Sequence, residues 1–199
     1  VVEDHWAGRK TSKDNHTTLW PGRYDWIEVP KGNVTFEPGV YVIRRTRNET
    51  GLALYIQGDN VIADGVMFYI TDSRDYHLSN GLPDAGDGEN SPATVASTTL
   101  MPSTVIDVGP NSRFSPLNDL NSPFHGMQLF QRRLDRRPIV IRNVWANSSV
   151  SFSGCIYSKW GHVIFANAGT SDTRFVAGSM RIINLGNCRI APSQLLPPA

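Results

Sequence analysis

The chain has 199 residues, of which 40% are hydrophobic and only 19% charged, with 17 glycines and 13 prolines. That length can bury the core of one domain, and a formal net charge of +1 excludes a global pull toward nucleic acid or an anionic membrane. No apolar run approaches the ~20 residues that span a bilayer, and no long amphipathic helical stripe stands out. Val, Ile, Thr and aromatic residues dominate the apolar segments, so the reading is all-β with many corners. The chain opens at Val1 with neither Met nor leader, which reads as a processed or excised piece, so that any anchor or export signal would lie upstream.

Residues 1–31 are polar and carry Trp6, Trp20, Tyr24 and Trp26 at no regular spacing. An irregular segment capping one end of a repeat domain is expected, with a stacking surface for sugar rings as the alternative. From Gly32 a repeat emerges. A glycine followed by an apolar strand recurs at Gly39-Val40-Tyr41-Val42-Ile43, Gly65-Val66-Met67-Phe68-Tyr69, Gly126-Met127-Gln128-Leu129-Phe130, Gly154-Cys155-Ile156-Tyr157 and Gly178-Ser179-Met180-Arg181-Ile182, at intervals of 26, 61, 28 and 24 residues. The long interval falls to 29 if the Ser-, Thr-, Gly- and Pro-rich segment 72–103 is an inserted loop. A strand precedes most of these glycines: Val34-Thr35-Phe36, Val61-Ile62-Ala63, Val105-Ile106-Asp107-Val108, Val150-Ser151-Phe152 and Thr173-Arg174-Phe175-Val176. Residues 52–56, 139–141 and 163–165 supply a third set.

Short strands at a near-constant period, without helices, fit a right-handed parallel β-helix, a β-solenoid in which each rung covers the apolar faces of its neighbours. The recurring glycine suits a rung corner, because only glycine enters positive φ without strain. The expected organisation is an N-terminal cap over 1–31, a solenoid over 32–191 interrupted by the loop 72–103, and a Pro-rich tail over 192–199. A β-sandwich with similar strand spacing is the competing arrangement. Within the loop, Asp84-Ala85-Gly86-Asp87-Gly88-Glu89-Asn90 clusters oxygen ligands with glycine, but not at EF-hand spacing, so a mobile polar loop is expected over a calcium site. The two cysteines, Cys155 and Cys188, match no zinc or redox motif. They read either as small buried hydrophobes or as a disulfide, should their strands stack.

Pro38-Gly39-Val40-Tyr41-Val42-Ile43, followed by Gly58-Asp59-Asn60-Val61 and Asp64-Gly65-Val66-Met67-Phe68-Tyr69-Ile70-Thr71, resembles the C-terminal domain of bacterial TadG-like (tight-adherence) pilus-assembly proteins. In that family a PGVYxI strand precedes GNxxVxGxGVxFYxT. Gly126-Met127-Gln128-Leu129-Phe130-Gln131-Arg132-Arg133 is similar to the family's GMLFFQDR, Ser153-Gly154-Cys155-Ile156-Tyr157 to SGTIYxP, and Phe175-Val176-Ala177-Gly178-Ser179-Met180-Arg181-Ile182 to QIIAxTIxI. The likeness spans residues 34–190 and departs at Arg132, where Asp is usual. It implies an extracytoplasmic envelope or surface protein, with a membrane-anchored region upstream and no catalytic residues.

The search for chemistry is correspondingly thin. His5, His16, His77, His125 and His162 are dispersed, with no metal-ligand spacing, and no nucleophile elbow or phosphate loop occurs. Among Asp59, Asp64, Asp72, Asp107, Asp119 and Asp135, most sit beside turn formers. A polysaccharide-cleaving site built from Asp64, Asp72 and Asp107 is the enzymatic alternative. Cations recur after the glycine-led strands. Arg44 lies at +5, Arg132 at +6 and Lys159 at +5 from their glycines, with Arg45 and Arg133 beside them. Stacked rungs would bring these into one basic edge for an anionic glycan or acidic partner, against the simpler role of keeping corners soluble. Four N-x-S/T sequons, at Asn15, Asn33, Asn48 and Asn147, are of a frequency chance explains. The sequence thus points to a non-catalytic envelope or surface module for structure or adhesion. No cofactor or metal is assigned. Partners would be further copies, envelope or pilus proteins, or anionic cell-wall glycan. Nucleic acid is not expected, and membrane contact would run only through the upstream region. A polysaccharide lyase or hydrolase, or a glycan-binding module, is the alternative.

Overall fold

A computed structural model describes residues 3–4, 8–11, 16–71, 101–133, 135–144, 151–186 and 188–191. Every regular element among them is a β-strand, and among the described residues no helix is long and apolar enough to cross a membrane. The expected all-β class is therefore observed. The calcium-like cluster at 84–90, Asp72 and the tail 192–199 lie outside the described residues.

Three stacks of strands organise the chain, and every pairing in them is parallel. The first stack contains β1 (Glu3–Asp4), β4 (Gly22–Tyr24), β7 (Gly39–Ile43), β10 (Val66–Ile70) and β13 (Met127–Gln131). The second contains β2 (Arg9–Lys10), β5 (Ile27–Val29), β8 (Leu54–Ile56), β11 (Thr104–Val108) and β14 (Ile139–Asn143). The third contains β3 (Thr17–Leu19), β6 (Asn33–Phe36), β9 (Asn60–Ala63) and β12 (Arg113–Phe114). Each strand thus bonds to the third one along. The long strands β15 (Ser151–Asn167) and β16 (Thr170–Asn184) pass through all three stacks, and β17 (Arg189–Ile190) closes the third.

Alternation along these short strands creates the core. Val34 and Phe36, Tyr41 and Ile43, Leu54 and Ile56, Val61 and Ala63, and Phe68 and Ile70 all point into one buried cluster that continues through Ile106, Leu129, Ile141, Ile156 and Phe165. Aromatic contacts run between stacks: Phe36 meets Tyr41 at 5.3 Å and Phe68 at 5.2 Å, both edge-to-face, a favoured ring geometry. The Tyr41 hydroxyl, buried with its ring, lies 2.8 Å from the carbonyls of Leu19 and Glu37 and so is not left unsatisfied.

The register corrects several boundaries read from sequence. Stacking does not begin at residue 32: β4 pairs with β7 and β5 with β8, and Tyr24, Ile27 and Val29 belong to the core. Charged Arg23 and Glu28 inside those strands hid them, although only the outward positions are charged. β11 joins the second stack, beside β8 and β14, and not the series of Val61 and Phe152; the two-residue β12 takes that place. Gly39, Gly65, Gly126 and Gly154 do adopt positive φ, at 139°, 68°, 81° and 106°. Gly178 does not belong with them, because Ser158 aligns with Ala177 and the partner of Gly154 is Thr173. The segment 72–103 joins β10 to β11, the same link made by residues 44–53 one unit earlier and by 132–138 one unit later.

A column of asparagines ties the later units together. Asn143, Asn167 and Asn184 are aligned at the ends of second-stack strands. The buried Asn143 Nδ2 donates to Asn167 Oδ1 at 2.9 Å, and Asn167 Nδ2 donates to the Gly169 carbonyl at 2.5 Å. Asn167→Ala therefore removes both its bond from the buried Asn143 amide and its bond to the Gly169 carbonyl, and should lower unfolding free energy by about 1–3 kcal/mol in urea denaturation. Asn184→Ala, at the exposed end of the column, should cost clearly less.

Candidate functional site

The corner that follows the first stack carries the expected basic residues. Arg44 N donates to the Tyr24 carbonyl, Thr71 N to Ile43 and Arg132 N to Ile70, at 3.0, 2.9 and 2.9 Å. Arg44, Thr71 and Arg132 are therefore successive occupants of one corner. Lys159 joins them, since Phe130 pairs with Tyr157 and each cation lies two residues further on. The charges, however, do not form a continuous cationic strip among the described residues. Thr71 separates Arg44 from Arg132. Arg44 is 4% exposed and faces Asp25 at 3.2 Å, with Arg45 on the other carboxylate oxygen at 3.5 Å. Arg133 Nε donates to the Tyr157 hydroxyl at 3.1 Å, and Lys159 Nζ stands 5.3 Å from the Trp160 ring centre. The cation at the start of this corner is spent on holding the fold.

A neighbouring cluster shows the same economy. Glu28, buried in β5, accepts from Lys10 at 3.0 Å and from Arg47, and Arg47 also reaches Glu49 at 2.9 Å and covers the Trp26 ring at 5.2 Å. Trp26 also fills the space beside Gly8, so it is a packing residue here, whereas Trp20 is 55% exposed and Trp6 lies outside the described residues.

The acids proposed for catalysis are dispersed in the same way. Asp64, after β9 in the third stack, accepts from Arg113 Nε at 2.6 Å and from Ser115 Oγ at 3.1 Å. Asp107, in β11 of the second stack, is gripped through both oxygens by Arg142 of the next unit. Asp135 is buried against Arg137 at 2.6 Å, and Asp119 accepts the Asn121 backbone N–H at 2.9 Å. Among the described residues no group of three or more His, Cys, Asp or Glu side chains is placed to hold a metal ion. The disulfide considered from sequence is not formed: Cys155 and Cys188 are both free thiols. Cys155 sits in the first stack between Met127 and Arg174, while Cys188 precedes β17 in the third, with its sulfur 3.8 Å from Asn167 Nδ2. Burial pushes the Cys155 thiol up from its ordinary value, which makes it a poor nucleophile.

One cleft does gather polar groups. It opens where second-stack strands turn into third-stack strands, has a volume of about 630 Å³, and is lined by Lys31, Gln57, Asp59, Asp107 and Arg142 with Pro30, Val108, Pro110 and Val144. Its floor is set by glycine. A Cβ on Gly109 would lie 2.3 Å from the Gly58 carbonyl oxygen, so the successive corners nest backbone on backbone. Lys31 and Asp59 are exposed, and among the described residues neither has an ion-pair or side-chain hydrogen-bond partner. Asp59 and Asp107 were visible in the sequence as turn and strand acids, but Lys31 and Arg142 were not singled out. The available signal was the corner series Pro30-Lys31-Gly32, Gln57-Gly58-Asp59 and Asp107-Val108-Gly109, whose alignment needs the correct placement of β11. No family model, curated protein or solved structure matches the chain.

The Glu28 cluster makes stability pH-dependent. Burial alone would push this carboxyl up, but hydrogen bonds from Arg47 and Lys10 bring it below its ordinary value. A depressed carboxyl contributes stability that is fully present above its unfolded value and is lost as pH falls through its folded one. The acid limb of the stability curve should therefore be shallower in Glu28→Gln than in the native chain, as read by denaturant midpoints below the ordinary carboxylate range.

Proposed function

We propose that this chain is a right-handed parallel β-helix serving as a non-catalytic structural or adhesion module of a bacterial cell envelope or surface, outside the cytoplasm and associated with pilus assembly. The observation that carries the reading is the in-register parallel pairing of each strand with the third one along, from β1 to β14. Such a chain grows by adding units to a continuous core, which yields a stiff elongated body whose corners are its working surface. Right-handedness follows from the strong chiral preference of connections between parallel strands. The TadG-like motifs at 38–43, 58–71 and 126–133 support the envelope setting. Val176, Ile182 and Leu185, 43%, 52% and 45% exposed at the C-terminal end of the stacks, supply apolar surface for assembly with further copies.

The carboxylates also favour structure over catalysis. Asp25, Glu28, Asp64 and Asp107 each face an arginine or lysine across units, so they hold neighbouring strands together. A polysaccharide lyase or hydrolase is the second reading, favoured by the presence of Asp59 and Asp107 beside Lys31 in one cleft. The two separate in one experiment, in which the purified chain is incubated with isolated bacterial cell-wall polymer and with acidic polysaccharides. The structural and adhesive reading expects the chain to sediment with the polymer and to release no new reducing ends or unsaturated products. Release of either product, abolished by Asp107→Asn, would establish the enzyme instead.

A further inference from the structure

We propose that the cleft between the second and third stacks binds carboxylate-bearing sugar residues of an acidic polysaccharide, with Lys31 and Arg142 on the carboxylate and Asp59 and Gln57 on ring hydroxyls. The proposal rests on the surface-adhesion reading and supplies its ligand class. It also moves the glycan contact away from the basic corner of Arg44 and Arg132, whose first cation is buried against Asp25.

The cleft's size, about 630 Å³, falls inside the range of ligand sites, about 300–1,000 Å³. Its charges are arranged for a mixed ligand. Asp107 binds Arg142 through Nε and Nη2, which fixes the guanidinium plane and leaves the Nη1 donors for a second acceptor. Lys31 adds three donors on a flexible stem. Opposite charge comes from Asp59, whose carboxylate has no partner among the described residues, and the Gln57 amide already accepts from the Tyr55 hydroxyl and keeps its own N–H donors. One of the two carboxylates is already paired with Arg142, so the cleft offers its cations to a single ligand carboxylate and its remaining acceptors to neighbouring hydroxyls. Val108, Pro30, Pro110 and Val144 add apolar wall suited to the C–H faces of a sugar. Exposed charge pairs contribute little singly, so the ligand that gains most here makes several polar contacts at once. A hydroxyl-rich ring with one carboxylate does that; a small zwitterion does not.

The test is titration of the whole chain at low ionic strength with trigalacturonate, with its methyl ester and with glycylglycine, followed by NMR. Saturable shifts at Lys31, Asp59 and Arg142 are expected with trigalacturonate, about tenfold weaker binding by the methyl ester, and no comparable binding of the dipeptide. Lys31→Glu, at an exposed position where folding is not at stake, should weaken trigalacturonate about tenfold or more, and Asp59→Asn should weaken the acid and its ester alike. Absence of saturable binding, binding indifferent to Lys31→Glu, or preference for the dipeptide would overturn the assignment. If the native chain still sediments with cell-wall polymer in those cases, the cleft proposal alone fails. If sedimentation is also lost, the adhesion reading fails with it.

Discussion

The backbone ladder between each strand and the third one along is the constraint on which the rest of this protein depends. Parallel strands lie about 4.8 Å apart, so equivalent side chains in successive units are in contact whether or not they suit one another. Inward, this produces the columns of Tyr41, Phe68, Leu129 and Ile156, aligned residue on residue. A slip of one residue in any strand would turn that column toward solvent. The cost of such a slip is what lets strands of three to five residues hold a unique register.

Outward and at corners, the same closeness dictates how charge is placed. Like charges stacked at strand spacing repel, and opposite charges meet. Asp25 with Arg44, Lys10 with Glu28, Asp64 with Arg113 and Asp107 with Arg142 all join adjacent units. The exposed pairs contribute modestly. The buried Arg44 with Asp25 differs, since removing one partner would leave an uncompensated charge in low dielectric. Where the polar ladder turns inward it becomes an amide ladder, Asn143 onto Asn167, because neutral amides can be satisfied in the interior without a charge-burial cost. Lys31 and Asp59 escape this rule. They stand at a corner where nested glycines draw the backbone in and leave a cleft instead of a contact.

Much of the architecture was legible because it is local. Gly39, Gly65, Gly126 and Gly154 before apolar runs mark first-stack strands, and Val34, Val61 and Phe152 mark the third. Two things were not legible. β4 and β5 are too short and too charged to announce themselves, so residues 1–31 read as an irregular cap. The insertion between β10 and β11 displaced the count, so 105–108 were assigned to the wrong stack, and Gly178 entered the wrong series because the unit after Gly154 is short and returns at Thr173. The asparagine column was written in Ile139-Val140-Ile141-Arg142-Asn143, Val163-Ile164-Phe165-Ala166-Asn167 and Met180-Arg181-Ile182-Ile183-Asn184, a pattern that becomes meaningful only once those strands are known to be neighbours.

By itself, then, the sequence determined the class of structure: alternation and glycine spacing demand short strands, and short strands with no helix demand mutual burial. Which charged residues are spent on the fold and which are left facing an open cleft was decided only by the tertiary structure. Arg44 and Arg142 look alike in sequence, each an arginine directly after an apolar run. Stacking buries one against Asp25 and sets the other, oriented by Asp107, at the mouth of a cleft with Lys31 and Asp59. The difference is the neighbour that the parallel register supplies, often dozens of residues away, and no local pattern encodes it.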